Sequence, residues 1–110
     1  MASPTELIAI IVPKPGKADR VIELLLEVSK YVVDNEPDTL KYHIHLESNK
    51  KTGVEEVIIL ETYKDKKALA AHGESAAFKN LEKKLTEEDL VAAPLQLKFI
   101  KPVGGFASRL

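Results

Sequence analysis

The sequence predicts an α+β fold of the ferredoxin-like kind, a βαββαβ chain with a four-stranded antiparallel sheet. Three observations carry that expectation. Two short, almost unbroken apolar runs surround Ile8 and Ile58, one segment around Ile44 alternates with period two, and two stretches repeat apolar residues at helical spacing. A chain of 110 residues with 45% hydrophobic content is the size of one domain with one core. That domain is expected over residues 1–103, with 104–110 as a flexible tail.

Glu6 to Val12 reads as the first strand, and Pro13-Lys14-Pro15-Gly16 ends it, because two prolines and a glycine cannot continue a hydrogen-bonded ladder. Val21, Leu24, Leu25, Val28, Tyr31 and Val32 then recur at helical spacing, with Asp19, Arg20, Glu23, Glu27 and Lys30 mostly opposite; Pro37 closes the helix. Leu40 to Glu47 alternates, with Tyr42, Ile44 and Leu46 on one side and His43, His45 and Glu47 on the other, as a strand does. The polar run Ser48 to Gly53 predicts a hairpin connection to the next strand.

Val57-Ile58-Ile59-Leu60 is apolar throughout, the mark of a strand buried on both faces, and Glu61 is expected at its end. Asp65 to His72 reads as a short helix stopped at Gly73, which puts His72 on its last turn and on the core side, three residues after Leu69. A second helical stretch over 75–85 has Phe78, Leu81 and Leu85 as its apolar stripe and Ser75 as N-cap. Thr86 with Asp89 resembles a variant capping box that would open one more short turn before Pro94. Leu95 to Lys101 is the last strand. Helices cover one face of such a sheet, yet strands one and three are apolar on both, so a second subunit is expected on the other.

The formal charge of −1, from 16 basic and 17 acidic residues, offers no excess to draw in nucleic acid or an anionic membrane. Neither is an expected partner. No cysteine is present, which excludes disulfides, thiolate metal sites and a cysteine nucleophile, and fits a reducing compartment. The apolar runs are far shorter than a membrane span and Met1-Ala2-Ser3-Pro4 lacks a secretory pattern, so a soluble, non-secreted protein is expected. There is no GxGxxG, P-loop or nucleophile elbow. Ser108-Arg109-Leu110 matches a serine-basic-leucine tripeptide of the type read by the peroxisomal import receptor, preceded by the flexible Gly104-Gly105. This places the protein in the peroxisome if its source is eukaryotic and in the cytoplasm otherwise.

Three groups of residues bear chemistry. His72, near a helix C-terminus and facing the core, fits a general base and fits equally a core histidine bonded to a backbone carbonyl. Glu61 fits a site carboxyl raised by desolvation or a structural ion pair. His43 and His45, two apart on one strand face with Glu47 beyond, have a spacing compatible with metal ligation, but a polar contribution to an interface is the commoner role, and no metal is expected.

The segment Asn35 to His43, together with Glu61-Thr62-Tyr63, His72, Ser75 and Phe78, resembles the antibiotic biosynthesis monooxygenase family of small dimeric α/β-barrel proteins. The resemblance implies a homodimer in which two sheets face each other. It also implies a cofactor-independent monooxygenase that joins dioxygen to a small phenolic, quinol or anthrone-like substrate. His72 and Glu61 would be its catalytic residues, and Tyr42, His43, Tyr63, Phe78 and Leu81 would bind the substrate. Tyr63 stands where many members have tryptophan, which changes the pocket's size. The haem-degrading branch uses an asparagine in the first strand and a tryptophan in the site; both are missing here. The alternatives on the same scaffold are a proton-transfer isomerase or cyclase and a non-catalytic dimeric ligand-binding or stress protein.

Overall fold

The computed structural model describes residues 3–48 and 54–110. The chain runs β1 (Thr5–Ile11), α1 (Ala18–Asn35), β2 (Thr39–Leu46), β3 (Val57–Tyr63), α2 (Lys66–Glu74), α3 (Ala76–Glu87) and β4 (Gln96–Ile100). The four strands form one antiparallel sheet in the order β2-β3-β1-β4. This is the ferredoxin-like plan, with its second helix broken in two. The predicted hairpin connection lies largely outside the described residues, but the antiparallel pairing of β2 with β3 that it implied is present.

Register assigns the faces. Leu7, Ala9 and Ile11 of β1 and Val57 and Ile59 of β3 point to one side, where they are buried against Val21, Leu24, Leu25, Val28 and Val32 of α1 and Leu81 and Leu85 of α3. Ile8, Ile10, Ile58 and Leu60 point the other way and are only half-buried, so β3 is not covered on both faces within one chain. The helices reach only one side, and an apolar strip remains on the other. All five residues of β4 are exposed, including Leu97 and Phe99, which pair with Ala9 and Leu7.

Glu61 is not at a strand end. Thr62 and Tyr63 continue β3 because they still find partners in Glu6 and Thr5. Nor does α2 stop at Gly73, whose backbone is not in the left-handed region that favours glycine. It ends where Ser75 turns to φ −66° and ψ 151°. That extended residue is also the N-cap of α3, its hydroxyl accepting from the Phe78 amide at 3.1 Å while donating to the His72 carbonyl at 2.7 Å.

Thr86 does not open a further turn. It sits inside α3 with its hydroxyl on the Glu82 carbonyl. Asp89 adopts φ 54°, and the Leu90 and Asp89 amides donate to the carbonyls of Leu85 and Thr86, the paired bonds of a Schellman stop. The chain then returns beside β1 through Lys14 N to Leu90 O and Ala92 N to Val12 O, both 2.8 Å. Among the described residues no helix is long and apolar enough to cross a membrane.

The Ser75 hydroxyl joins α2 to α3, so Ser75→Ala is expected to destabilise the fold by about 1 kcal/mol, the usual loss of an N-cap. Urea unfolding of the two proteins checks this, and an unchanged midpoint would show the cap to be dispensable.

Candidate functional site

Between the helix-covered face of the sheet and helices α2 and α3 lies a cavity of about 460 Å³. Leu7, Ala9, Ile11 and Ile59 make its floor, and Leu25, Leu81, Leu85 and Val91 close it on the helix side. Its polar lining gathers at Tyr42, Glu61 and His72, with Glu82 and Thr86 contributed by α3. The volume falls within the range of small-molecule sites, and the pattern of apolar walls with a few convergent polar groups is that of such sites.

His72 reaches this cavity because α2 starts where it does. Asp65 caps the helix, its carboxylate accepting from the Ala68 amide at 2.8 Å, and the last turn then carries the imidazole inward to 4% exposure. Three rings enclose it at centroid distances of 5.5 Å (Tyr42), 5.6 Å (Tyr63) and 5.5 Å (Phe78), all tilted. Its Nδ1 lies 2.9 Å from Oε1 of Glu36, the residue that caps the C-terminus of α1. The side-chain partner of His72 is therefore a carboxylate and not a backbone carbonyl.

Glu61 projects from the middle of the sheet opposite Tyr42 in the β2–β3 register. Tyr63, two residues along on the same face, donates a hydrogen bond from its hydroxyl to Glu61 Oε1 at 2.5 Å. Burial pushes the Glu61 carboxyl above its usual range; the Tyr63 bond and the nearby His72 oppose this, and the Glu36 carboxylate adds to it. Tyr42 is raised by burial and then by the charges of Glu61 and Glu36. Tyr63 is raised by burial and then by Glu61, so both phenols are neutral hydrogen-bond donors at neutral pH.

The structure thus brings five of the seven sequence-predicted residues to the cavity wall: His72, Glu61, Tyr42, Phe78 and Leu81. Tyr63 is fully buried and does not line the cavity, but its hydroxyl bonds Glu61 and its ring packs beside His72. His43 is not brought there. Strand alternation turns it to the open face with His45, the two rings 4.2 Å apart, and His45 Nδ1 lies 3.0 Å from the His43 carbonyl oxygen. Among the described residues no three histidine, cysteine or acidic side chains are placed to hold a metal ion. Glu36 escaped the sequence reading as a site residue. Its signals were an acid at the end of an amphipathic helix, immediately before Pro37, and its place in the segment that carries the family resemblance.

A ferredoxin-like sheet with a mostly apolar pocket under its helices, lined by an imidazole, a carboxyl and a phenol, is the framework of the site. The sequence profile of the antibiotic biosynthesis monooxygenase family matches residues 6–84, and the chain belongs to that family. Solved structures agree in fold. Rv0793 from Mycobacterium tuberculosis superposes with a TM-score of 0.76 at 24% identity, over 96% of this chain and 100% of that one. A candidate antibiotic biosynthesis monooxygenase from Caulobacter crescentus gives 0.71 at 25% identity, over 92% and 91% of the two chains. PA3566 from Pseudomonas aeruginosa gives 0.77 at 21% identity, over 94% and 98%. No curated protein sequence matches this chain.

The raised carboxyl of Glu61 has a consequence for stability. Because the folded state holds this proton more tightly than the unfolded chain, its contribution is complete below the unfolded carboxylate range, near about pH 4.3, and is lost as pH rises through the higher folded value. Glu61→Gln, neutral at every pH, is expected to remove that loss. Urea midpoints of both proteins between about pH 4 and 8 test this; profiles that stay parallel would mean that Glu61 does not change its proton affinity on folding.

Proposed function

We propose that this protein is a cofactor-independent monooxygenase acting on a small electron-rich phenol, quinol or anthrone. The observation that carries the reading is the buried imidazole of His72 on the wall of a mostly apolar cavity, with the neutral donor Tyr42 beside it. Family membership supports the reading at the level of monooxygenase chemistry. The substrate class and the lack of a cofactor are the proposal's own.

In the proposed reaction the substrate's ring lies among Leu81, Phe78, Ile59 and Leu25, with its oxygen toward Tyr42 and His72. His72 removes a proton from the phenol or from the activated methylene of its keto tautomer, leaving an anion. The apolar walls exclude water, and the Tyr42 hydroxyl donates to the anion's oxygen. One electron passes from the anion to dioxygen, and the two radicals combine to form a C–O bond. The resulting peroxide anion takes back the proton from His72. Loss of water from the hydroperoxide, with departure of the remaining C–H proton, leaves a new carbonyl. The sum is one CH₂ and one O₂ giving one C=O and one H₂O.

The open face of the sheet completes the proposal. Ile8, Ile10, Ile58 and Leu60 form a half-buried strip edged by His43 and His45 on β2 and by Gln96 and Lys98 on β4. A second copy of the chain laid sheet to sheet would cover it, with the histidines as part of the polar rim. Leu60→Lys is expected to convert a dimer into a monomer in light scattering; a wild-type protein already at the mass of one chain would overturn this part.

The catalytic part is tested by dioxygen uptake across a panel of anthrones, naphthalenediols and quinols, using chelator-treated protein. Uptake is expected, with a fall of about 10²–10⁴-fold in kcat for His72→Ala, the usual worth of a positioned general base. No uptake with any compound, or equal uptake by the variant, would overturn it.

A further inference from the structure

We propose that Glu36 is a positioning residue for His72, and that Thr39, Glu36 and His72 form a relay that keeps the imidazole proton on Nδ1 and turns the Nε2 lone pair to the cavity. The proposal rests on the reading of His72 as the base.

The geometry is that of a carboxyl group within hydrogen-bond reach of both an imidazole nitrogen and a hydroxyl. Nδ1 of His72 lies 2.9 Å from Oε1 and 3.3 Å from Oε2 of Glu36, and the Thr39 hydroxyl donates to the same Oε1 at 2.8 Å. An ionised carboxylate is an acceptor only, so to both Thr39 and Nδ1 it offers lone pairs and no proton. The ring nitrogen is then the donor and carries the hydrogen. In a neutral imidazole this leaves Nε2 as the acceptor, which is the atom a general base needs. Neither partner is a loosely solvated surface group: the side chains of His72 and Glu36 are 5% and 13% exposed.

The relay also limits the ring's freedom. Rotation about the Cβ–Cγ bond by half a turn would break the Glu36 contact and bring a carbon to Nδ1's place, while Tyr42, Tyr63 and Phe78 crowd the ring on its other sides. Glu36 itself is held at both ends. Its backbone amide donates to the Val32 carbonyl at 2.8 Å, and its backbone carbonyl accepts from the Thr39 amide at 3.0 Å. The carboxylate therefore arrives at the imidazole from a fixed turn between α1 and β2. When His72 takes a proton on Nε2, the same carboxylate faces the imidazolium and stabilises it, as the orienting acid of a catalytic triad does.

The test reads the tautomer directly. In ¹⁵N–¹H correlation spectra of the ring, wild-type His72 is expected to show the hydrogen on Nδ1; a hydrogen on Nε2 at neutral pH would overturn the proposal whatever the activity. Glu36→Gln keeps the shape but can donate as well as accept, and Glu36→Ala removes the partner. Both are expected to give a mixture of tautomers and a 10- to 100-fold loss of kcat, with KM changed little, whereas Glu36→Asp recovers part of it. Thr39→Val should show a smaller loss in the same direction. If Glu36→Gln keeps a pure Nδ1–H tautomer and full kcat, the relay is wrong. If the wild type consumes no dioxygen while the tautomer still follows residue 36, the relay stands and only the oxygenase reading fails.

Discussion

The contact between His72 and Glu36 is the constraint around which the rest of this domain is arranged. An imidazole inside an apolar core loses its hydration, and a buried polar group left without a partner costs about 1–3 kcal/mol. Its partner comes from 36 positions away, at the end of another helix. For the two to meet, α1 must end at Asn35, β2 must begin at Thr39, and α2 must begin at Lys66, capped by Asp65, so that its last turn faces inward. Among the described residues no buried side-chain nitrogen or oxygen lacks a hydrogen bond, so the polar cluster is tolerated as a completed network.

Within that network two carboxyls have different surroundings. Glu36 accepts from the Thr39 hydroxyl and lies 2.9 Å from the imidazole nitrogen of His72. Glu61 stands on the sheet with one phenol as its donor, and burial raises it. The two acids of the cluster therefore differ in what they face: burial makes Glu61 favour its neutral form, while Glu36 lies against the imidazole and the Thr39 hydroxyl. Burial keeps the two phenols neutral, and the neighbouring carboxyls add to that effect.

Strand alternation then divides the sheet by task. Tyr42 and His43 are neighbours in sequence, yet one faces the cavity and the other faces away from it. The helix-covered face carries the pocket. The opposite face carries the isoleucine and leucine strip, the surface proposed to take a second chain. A one-residue slip of β2 against β3 would exchange these roles and put the histidines in the core, so the pocket depends on the register as much as on the residues.

Much of this architecture was legible in the residues. Periodicity identified every strand and both amphipathic helices, because period-two and helical patterns are written within a window of ten or so residues. Ser75 as a cap was legible for the same reason. Gly73 and Thr86 misled because glycine and threonine are only permissive of a stop or a cap. Whether they act depends on the next turn of backbone, and here Ser75 and Asp89 supplied the breaks. His72, Glu61, Tyr42, Phe78 and Leu81, singled out from pattern and resemblance, all line the cavity. By itself, the sequence determined the kinds of element, their order and which faces are apolar, all properties of neighbouring residues. Only the tertiary structure decided that Glu36 meets His72, that Tyr63 bonds Glu61 without lining the cavity and that His43 is turned away. Those outcomes depend on strand register and on contacts between distant segments, and no local pattern encodes either.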